Sequence, residues 1–300
     1  LDEITAIGLN LTVARDSNGD FYMQGLKQNS DSTTLFSDII KHANNLNSFN
    51  LKAVTVNYND QQQANISGRY QIENATLKHS GTSWHADGQV FLPISSGDNI
   101  EFSTNWRLNQ QNMNLMEWEG KIKTNKVFIS PLSDYLNWKN ITVEKGLINS
   151  TIAIEGVGLE VREAKLDIEL SQAMLASKEM GDVLKPIDVE YFKGNFHWKD
   201  QEMGDSWLFS GNNINLSIKG EVWPETSLTV IKKPEEVMIK SDFFRIEQLL
   251  DVAALSGRLS EQILLQNPAG DIEKLEMTYL IESGLKYASL NLRKGKITSW

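Results

Sequence analysis

Four histidines are the first candidates for chemistry: His42, His79, His85 and His197. None stands in an HxH or HExxH spacing, the patterns that bring imidazoles together around a metal. The chain has no cysteine, so thiolate ligands, thiol nucleophiles and disulfides are all unavailable. GxSxG and the P-loop are absent, and Gly156-Val157-Gly158 lacks the third glycine and the following helix of a dinucleotide site. Glu235-Glu236 follows Pro234 and reads as solvated loop. His197 lies between Phe196 and Trp198, so in a strand it faces away from both and reads as a surface histidine. The sequence therefore predicts no catalytic residue, no cofactor and no metal. A carbohydrate-active enzyme would need two carboxylates facing each other across a cleft.

Aromatic residues carry more signal. There are eight tryptophans, and Trp84, Trp106, Trp118, Trp198 and Trp207 all fall in predicted strands. Core packing explains any one of them. Together they also suit the lining of an apolar groove, since such sites are mostly apolar and aromatic. The candidate groove residues are Trp106, Trp118, Phe196, Trp198 and Trp207. Three of these sit in one hairpin, Ile187 to Lys219. In its first half Phe192, Gly194, Phe196 and Trp198 share one phase of a period-2 pattern, while Val189 and Tyr191 share the other. Lys199 to Asp205 is the polar turn, and Trp207, Phe209 and Gly211 open the return strand. The change of phase predicts twisting, a bulge or use of both faces.

The elements that must position these side chains are mostly strands. Short alternating runs separated by polar, glycine-containing turns cover most of the chain, among them Arg15 to Asp20 and His79 to Ser83. Helical spacing is predicted at 33–46, 130–137, 171–184, 243–256 and 259–266, with Asp242 as the cap of the fourth. The fold class expected is mainly β, a long twisted or curled antiparallel sheet, groove or half-barrel like, with a few short peripheral helices. Two segments are expected: 1–140, a β-meander with one helix, and 141–300, a β segment with helices near 171–184 and 243–266, the two running as one sheet. One loose pattern recurs: an acid or serine, an aromatic, then glycine four residues on. It occurs at Asp20-Phe21…Gly25, Ser83-Trp84…Gly88 and Ser206-Trp207…Gly211. Its unequal separations do not support a fixed-period solenoid or propeller.

At 300 residues, 40% hydrophobic and 23% charged, the composition is globular. The net charge of −10 argues against a nucleic-acid partner, which needs a dense positive footprint. No run of about 18 apolar residues is present. The first residue is Leu1, which predicts a piece of a longer chain, with any anchor outside these residues.

The strand Tyr191-Phe192-x-Gly194-x-Phe196-x-Trp198, the return Trp207…Gly211 and the segment Arg245 to Leu255 (RIEQLLDVAAL) resemble the AsmA-like family, most closely its YhdP branch. So do Pro268-Ala269-Gly270-Asp271-Ile272, Gly19-Asp20-Phe21 and Leu51-Lys52-Ala53-Val54. The resemblance covers most of the chain and implies a bridge-like lipid-transfer protein of the Gram-negative cell envelope. Such a protein is anchored in the inner membrane by an N-terminal helix and extends through the periplasm. It carries phospholipid acyl chains along an apolar β-groove toward the outer membrane and supports that membrane's barrier. The implied partners are phospholipid, the rest of the same chain and other envelope proteins. No catalytic residues are implied. The alternative is a β-sheet scaffold with a closed core and no lipid.

Overall fold

The computed structural model describes residues 3–24, 47–107, 116–133, 141–177, 186–201, 205–255 and 268–296. Among the described residues there are seventeen strands, linked by ladder hydrogen bonds into a sheet. The chain divides into two compact units, Leu1–Pro131 with Thr151–Val161, and Leu132–Ser150 with Arg162–Trp300.

The first unit begins with β1 (Glu3–Ile7), β2 (Asn10–Arg15) and β3 (Phe21–Met23). It continues with β4 (Ser48–Asp60), β5 (Gly68–Ser80), β6 (Ser83–Phe91), β7 (Gly97–Arg107) and β8 (Glu117–Phe128). From β4 to β8 each strand pairs antiparallel with the next. β1 and β2 are parted at Gly8 (φ +69°). Both pair parallel with β4, a local departure from the antiparallel plan.

Cross-strand partners lie on the same side of a sheet, so the registers sort the side chains by face. One row runs Tyr70 in β5, Val56 in β4 and Leu11 in β2. Another runs Gly88, Phe102 and Ile122 through β6, β7 and β8. A third runs His79, Trp84, Trp106 and Trp118. The other face is polar and stitched by side-chain hydrogen bonds. Asn57 Nδ2 donates to Asn10 Oδ1 at 2.8 Å, Asn105 Nδ2 to Glu119 Oε1 at 2.6 Å, and Asn125 Nδ2 to Asn99 Oδ1 at 2.7 Å.

β9 (Ile141–Val157) spans the boundary of the two units and pairs with β10 (Glu160–Ser177). The second unit continues with β11 (Ile187–Asp200), β12 (Trp207–Ile218), β13 (Glu221–Val222), β14 (Thr226–Lys232) and β15 (Glu236–Arg245). The helix α1 (Ile246–Leu255) follows, then β16 (Ala269–Leu280) and β17 (Gly284–Lys296). All described ladders in this unit are antiparallel.

Residues 171–177, the first half of the expected helix at 171–184, are instead the end of β10. Ala173 pairs with Val189 and Leu175 with Ile187. Ala173, Ile187 and Val189 are all buried there, and that burial outweighs the helical propensity of Gln172-Ala173-Met174-Leu175. Residues 178–184 and the expected helices at 33–46 and 259–266 lie outside the described residues. At 130–137 there is a 3₁₀ turn, Ser130–Leu132, and 134–137 lie outside the described residues. The fourth helix is shorter than expected. Residues 243–245 stay in β15, held by the ladder down to Arg245 opposite Asp271, so Asp242 is a strand residue and caps nothing.

α1 closes one end of this unit's apolar face. Leu255 is 1% exposed and, with Val252 beside it, packs against Ala173, Ile187, Val189 and Ile218. Trp223 Nε1 donates to Gln248 Oε1, and Gln248 Nε2 donates to the Ile218 carbonyl at 3.2 Å, which fixes the helix on the sheet.

Candidate functional site

The phase change at the start of the central hairpin is a bulge. The β11–β12 register shifts between Val189 and Tyr191, so Glu190 is the extra residue. Its carboxylate accepts from Ser217 Oγ at 3.0 Å and from the Gly220 N–H at 2.8 Å; partial desolvation raises its pKa, but its own backbone N–H and these two bonds to the charged form outweigh that and hold it below the usual value. The bulge lets Val189 join the same core as Phe192 although their parities differ.

Beyond the bulge the apolar side chains form a ring stack. Phe192, Phe196 and Phe209 follow one another with centroids 5.9 Å apart at each step. Phe196 lies flat on two glycines. A Cβ on Gly211, its cross-strand partner, would sit 2.8 Å from the ring, and so would one on Gly194. Beside this stack the row Ala164, Trp198, Phe209, Val230, Ile239, Met277 crosses six strands from β10 to β16. These side chains are half-buried, apart from the α1 end, where burial is complete.

The first unit repeats the device. Phe102 lies over Gly88, whose added Cβ would meet the ring at 2.9 Å, and Trp118 lies over Gly156. Trp118 Nε1 donates to the Gly158 carbonyl at 3.0 Å. Trp84 stacks on His79 at 4.3 Å and on Trp106 at 5.8 Å, with interplanar angles of 29° and 4°. Trp106 and Trp118 are half-buried, whereas Trp84 is only 5% exposed. Among the described residues the first unit contains no α-helix.

The five sequence candidates are thus distributed over two surfaces. Trp106 and Trp118 are cross-strand neighbours in the first unit. Phe196, Trp198 and Trp207 share one face of the second. Sequence reasoning left out Phe102, Phe192 and Phe209, which complete the rows. The available signal was the recurring aromatic-to-glycine spacing. In both described copies, Trp84…Gly88 and Trp207…Gly211, the glycine is the floor for a phenylalanine of the adjacent strand. A glycine opposite an aromatic lets the ring cover backbone instead of standing upright.

The opposite face of the second unit carries an ion cluster. Glu163 is ringed by Lys165 Nζ at 2.6 Å, His197 Nε2 at 2.9 Å and Lys199 Nζ at 3.5 Å. The Lys165 hydrogen bond leads, with His197 and the charges of both lysines adding to it, and together they lower the Glu163 pKa from 4.5 to about 2. His197 therefore belongs to a surface ion cluster on the polar face. Among the described residues no group of three or more His, Cys, Asp or Glu converges as a metal site, and no helix is long and apolar enough to cross a membrane.

What each unit defines is a class of protein: a mainly antiparallel sheet with one mainly polar face and one aromatic-floored apolar face. The family model described as YhdP protein matches residues 2–298, and the chain belongs to that family. No curated protein and no solved structure matches it.

Proposed function

We propose that each apolar face seats the acyl chains of phospholipid, and that the chain is a periplasmic segment of a lipid-conducting envelope protein working between the inner and outer membranes. One observation carries this reading. Rows of aromatic and aliphatic side chains stay half-exposed on one face while the other face is mainly polar, with Phe91 and the row Leu208, Ile231, Met238 among its apolar members. A face of this size left half-wet marks a binding surface rather than a core. The membership in the YhdP family supports the same reading, through the lipid-transfer role that the resemblance implies.

The mechanism is passive. Each methylene moved from water onto the rings contributes about 0.8 kcal/mol. From Trp198 to Met277 the row crosses β11, β12, β14, β15 and β16, which at about 4.8 Å per strand makes a seat of about 19 Å. The seat offers no directional bonds to hold a chain in one place, so a lipid slides at little cost. No covalent step is involved.

Organic extraction of the purified chain, with phospholipid counted per protein, tests this reading alongside the melting temperature of Trp198→Glu. A half-buried residue on a wet groove tolerates the carboxylate, so lipid is lost while melting changes little. Lipid retained in a stable variant removes Trp198 from the seat. A collapsed melting temperature signifies an unpaired charge in a closed core, the scaffold reading.

A further inference from the structure

We propose that the second unit carries a phosphate subsite at the rim of its apolar face, formed by Lys232 with the Trp207 indole beside it, which takes the phosphodiester of a glycerophospholipid. This inference rests on the acyl-chain reading above and adds where the headgroup lies. Two residues further along each strand from Trp198, Phe209, Val230, Ile239 and Met277, the same face carries Asp200, Trp207, Lys232, Val237 and Tyr279. Polar character therefore begins about 7 Å from the last fully apolar row.

The charges of that rim differ in how they are held. Arg162 Nη1 donates to Asp200 Oδ2 at 2.7 Å, and the Asp200 side chain is 5% exposed, so this cation is already neutralised. Lys233 pairs with Glu236 at 3.2 Å. Lys232 Nζ donates instead to the backbone carbonyl of Asp205 at 3.0 Å. An ammonium has three donors, so further N–H groups remain for an anion. Trp207 is the direct cross-strand partner of Lys232, and an indole is suited to a boundary that is apolar on one side and wet on the other. The opposite end of the face is shut by Val252 and Leu255 of α1. An amphiphile lying here has one wet end, and the cation stands at that end. The lysine stem can lie along the acyl region while its head stays in water.

The test compares didecanoyl phosphatidylglycerol with didecanoylglycerol, which share acyl chains and differ in the phosphoglycerol headgroup. Binding to the whole chain is measured by equilibrium dialysis below the aggregation concentration of each lipid. The expected result is about tenfold tighter binding of the phospholipid, the size of one charge-assisted hydrogen bond. Lys232→Gln removes that preference and leaves diacylglycerol binding unchanged. Lys193→Gln, an exposed lysine on the polar face, leaves it intact. Equal affinities in the unmodified chain, or an equal loss from Lys193→Gln, overturn the subsite and leave the acyl groove standing. Displacement of phosphatidylglycerol by millimolar inorganic phosphate overturns the lipid assignment in favour of a free-phosphate site. Binding of neither lipid overturns the acyl-chain reading itself.

Discussion

Gly211→Ala is the sharpest test of the aromatic floor. An ideal Cβ at Gly211 falls 2.8 Å from Phe196 Cε1, 2.9 Å from its Cδ1 and 3.0 Å from Ile214 Cδ1. Carbon atoms prefer about 3.5–4.0 Å, so the methyl overlaps three atoms by about half an ångström or more. The ring has no sideways escape, because Phe192 and Phe209 flank it at 5.9 Å each. Gly194 supports its underside as closely as Gly211 does. The ring must lift off the sheet, or β11 and β12 must part. The backbone at Gly211 is outside the left-handed region, so alanine there costs nothing conformationally and by itself stabilises by about 0.4–1 kcal/mol. Overpacking of this kind costs about 1–3 kcal/mol, so the net expectation is a loss of about 1–2 kcal/mol, or about 2–8 °C in melting temperature. The assay is a double-mutant cycle with Phe196→Ala, read by urea denaturation. With the ring gone, Gly211→Ala becomes neutral or stabilising, which gives a coupling of about 2 kcal/mol. The same loss in both backgrounds refutes the steric account.

The first unit makes a parallel claim: Gly88→Ala destabilises, and Phe102→Ala relieves it, because the new methyl would sit 2.9 Å from both the Phe102 ring and Ala75 Cβ. Leu255→Ala empties a fully buried site between α1 and the sheet and is expected to cost about 2–5 kcal/mol, seen as a lower urea midpoint. The Glu163 pKa is depressed to about 2 by the fold, so the carboxylate stabilises the native state above its ordinary value of 4.5 and loses that contribution as pH falls from about 4.5 to about 2. Glu163→Gln should flatten the pH dependence of urea stability across that window, and an unchanged slope would show that the cluster is not what acid unfolding titrates.

Much of this protein was legible in the chain itself. Alternation along Phe192, Gly194, Phe196 and Trp198 and along Ile100, Phe102, Thr104 and Trp106 marks half-buried strands, because side chains in a pleat alternate between faces. Gly19 and Gly81 mark turns, both at positive φ in the structure. The bulge at Glu190 was foreshadowed by the phase change from Tyr191 to Phe192, since only an extra residue lets side chains of opposite parity reach one face.

Tertiary structure decided everything that depends on which strand meets which, and at what register. Gln172-Ala173-Met174-Leu175 has good helical propensity, but Val189 and Ile187 supply cross-strand partners, and burial against them exceeds what propensity offers. The parallel pairing of β1 and β2 with β4 depends on where a distant strand lies, which no local pattern encodes. The groove floor is the clearest instance. Both glycines and both phenylalanines are visible in the sequence, yet Phe102 finds Gly88 and Phe196 finds Gly211 through registers set by whole strands. Local sequence determines which side chains share a face. The pairing of one strand with another determines which ring covers which glycine, because that contact joins residues that are distant along the chain.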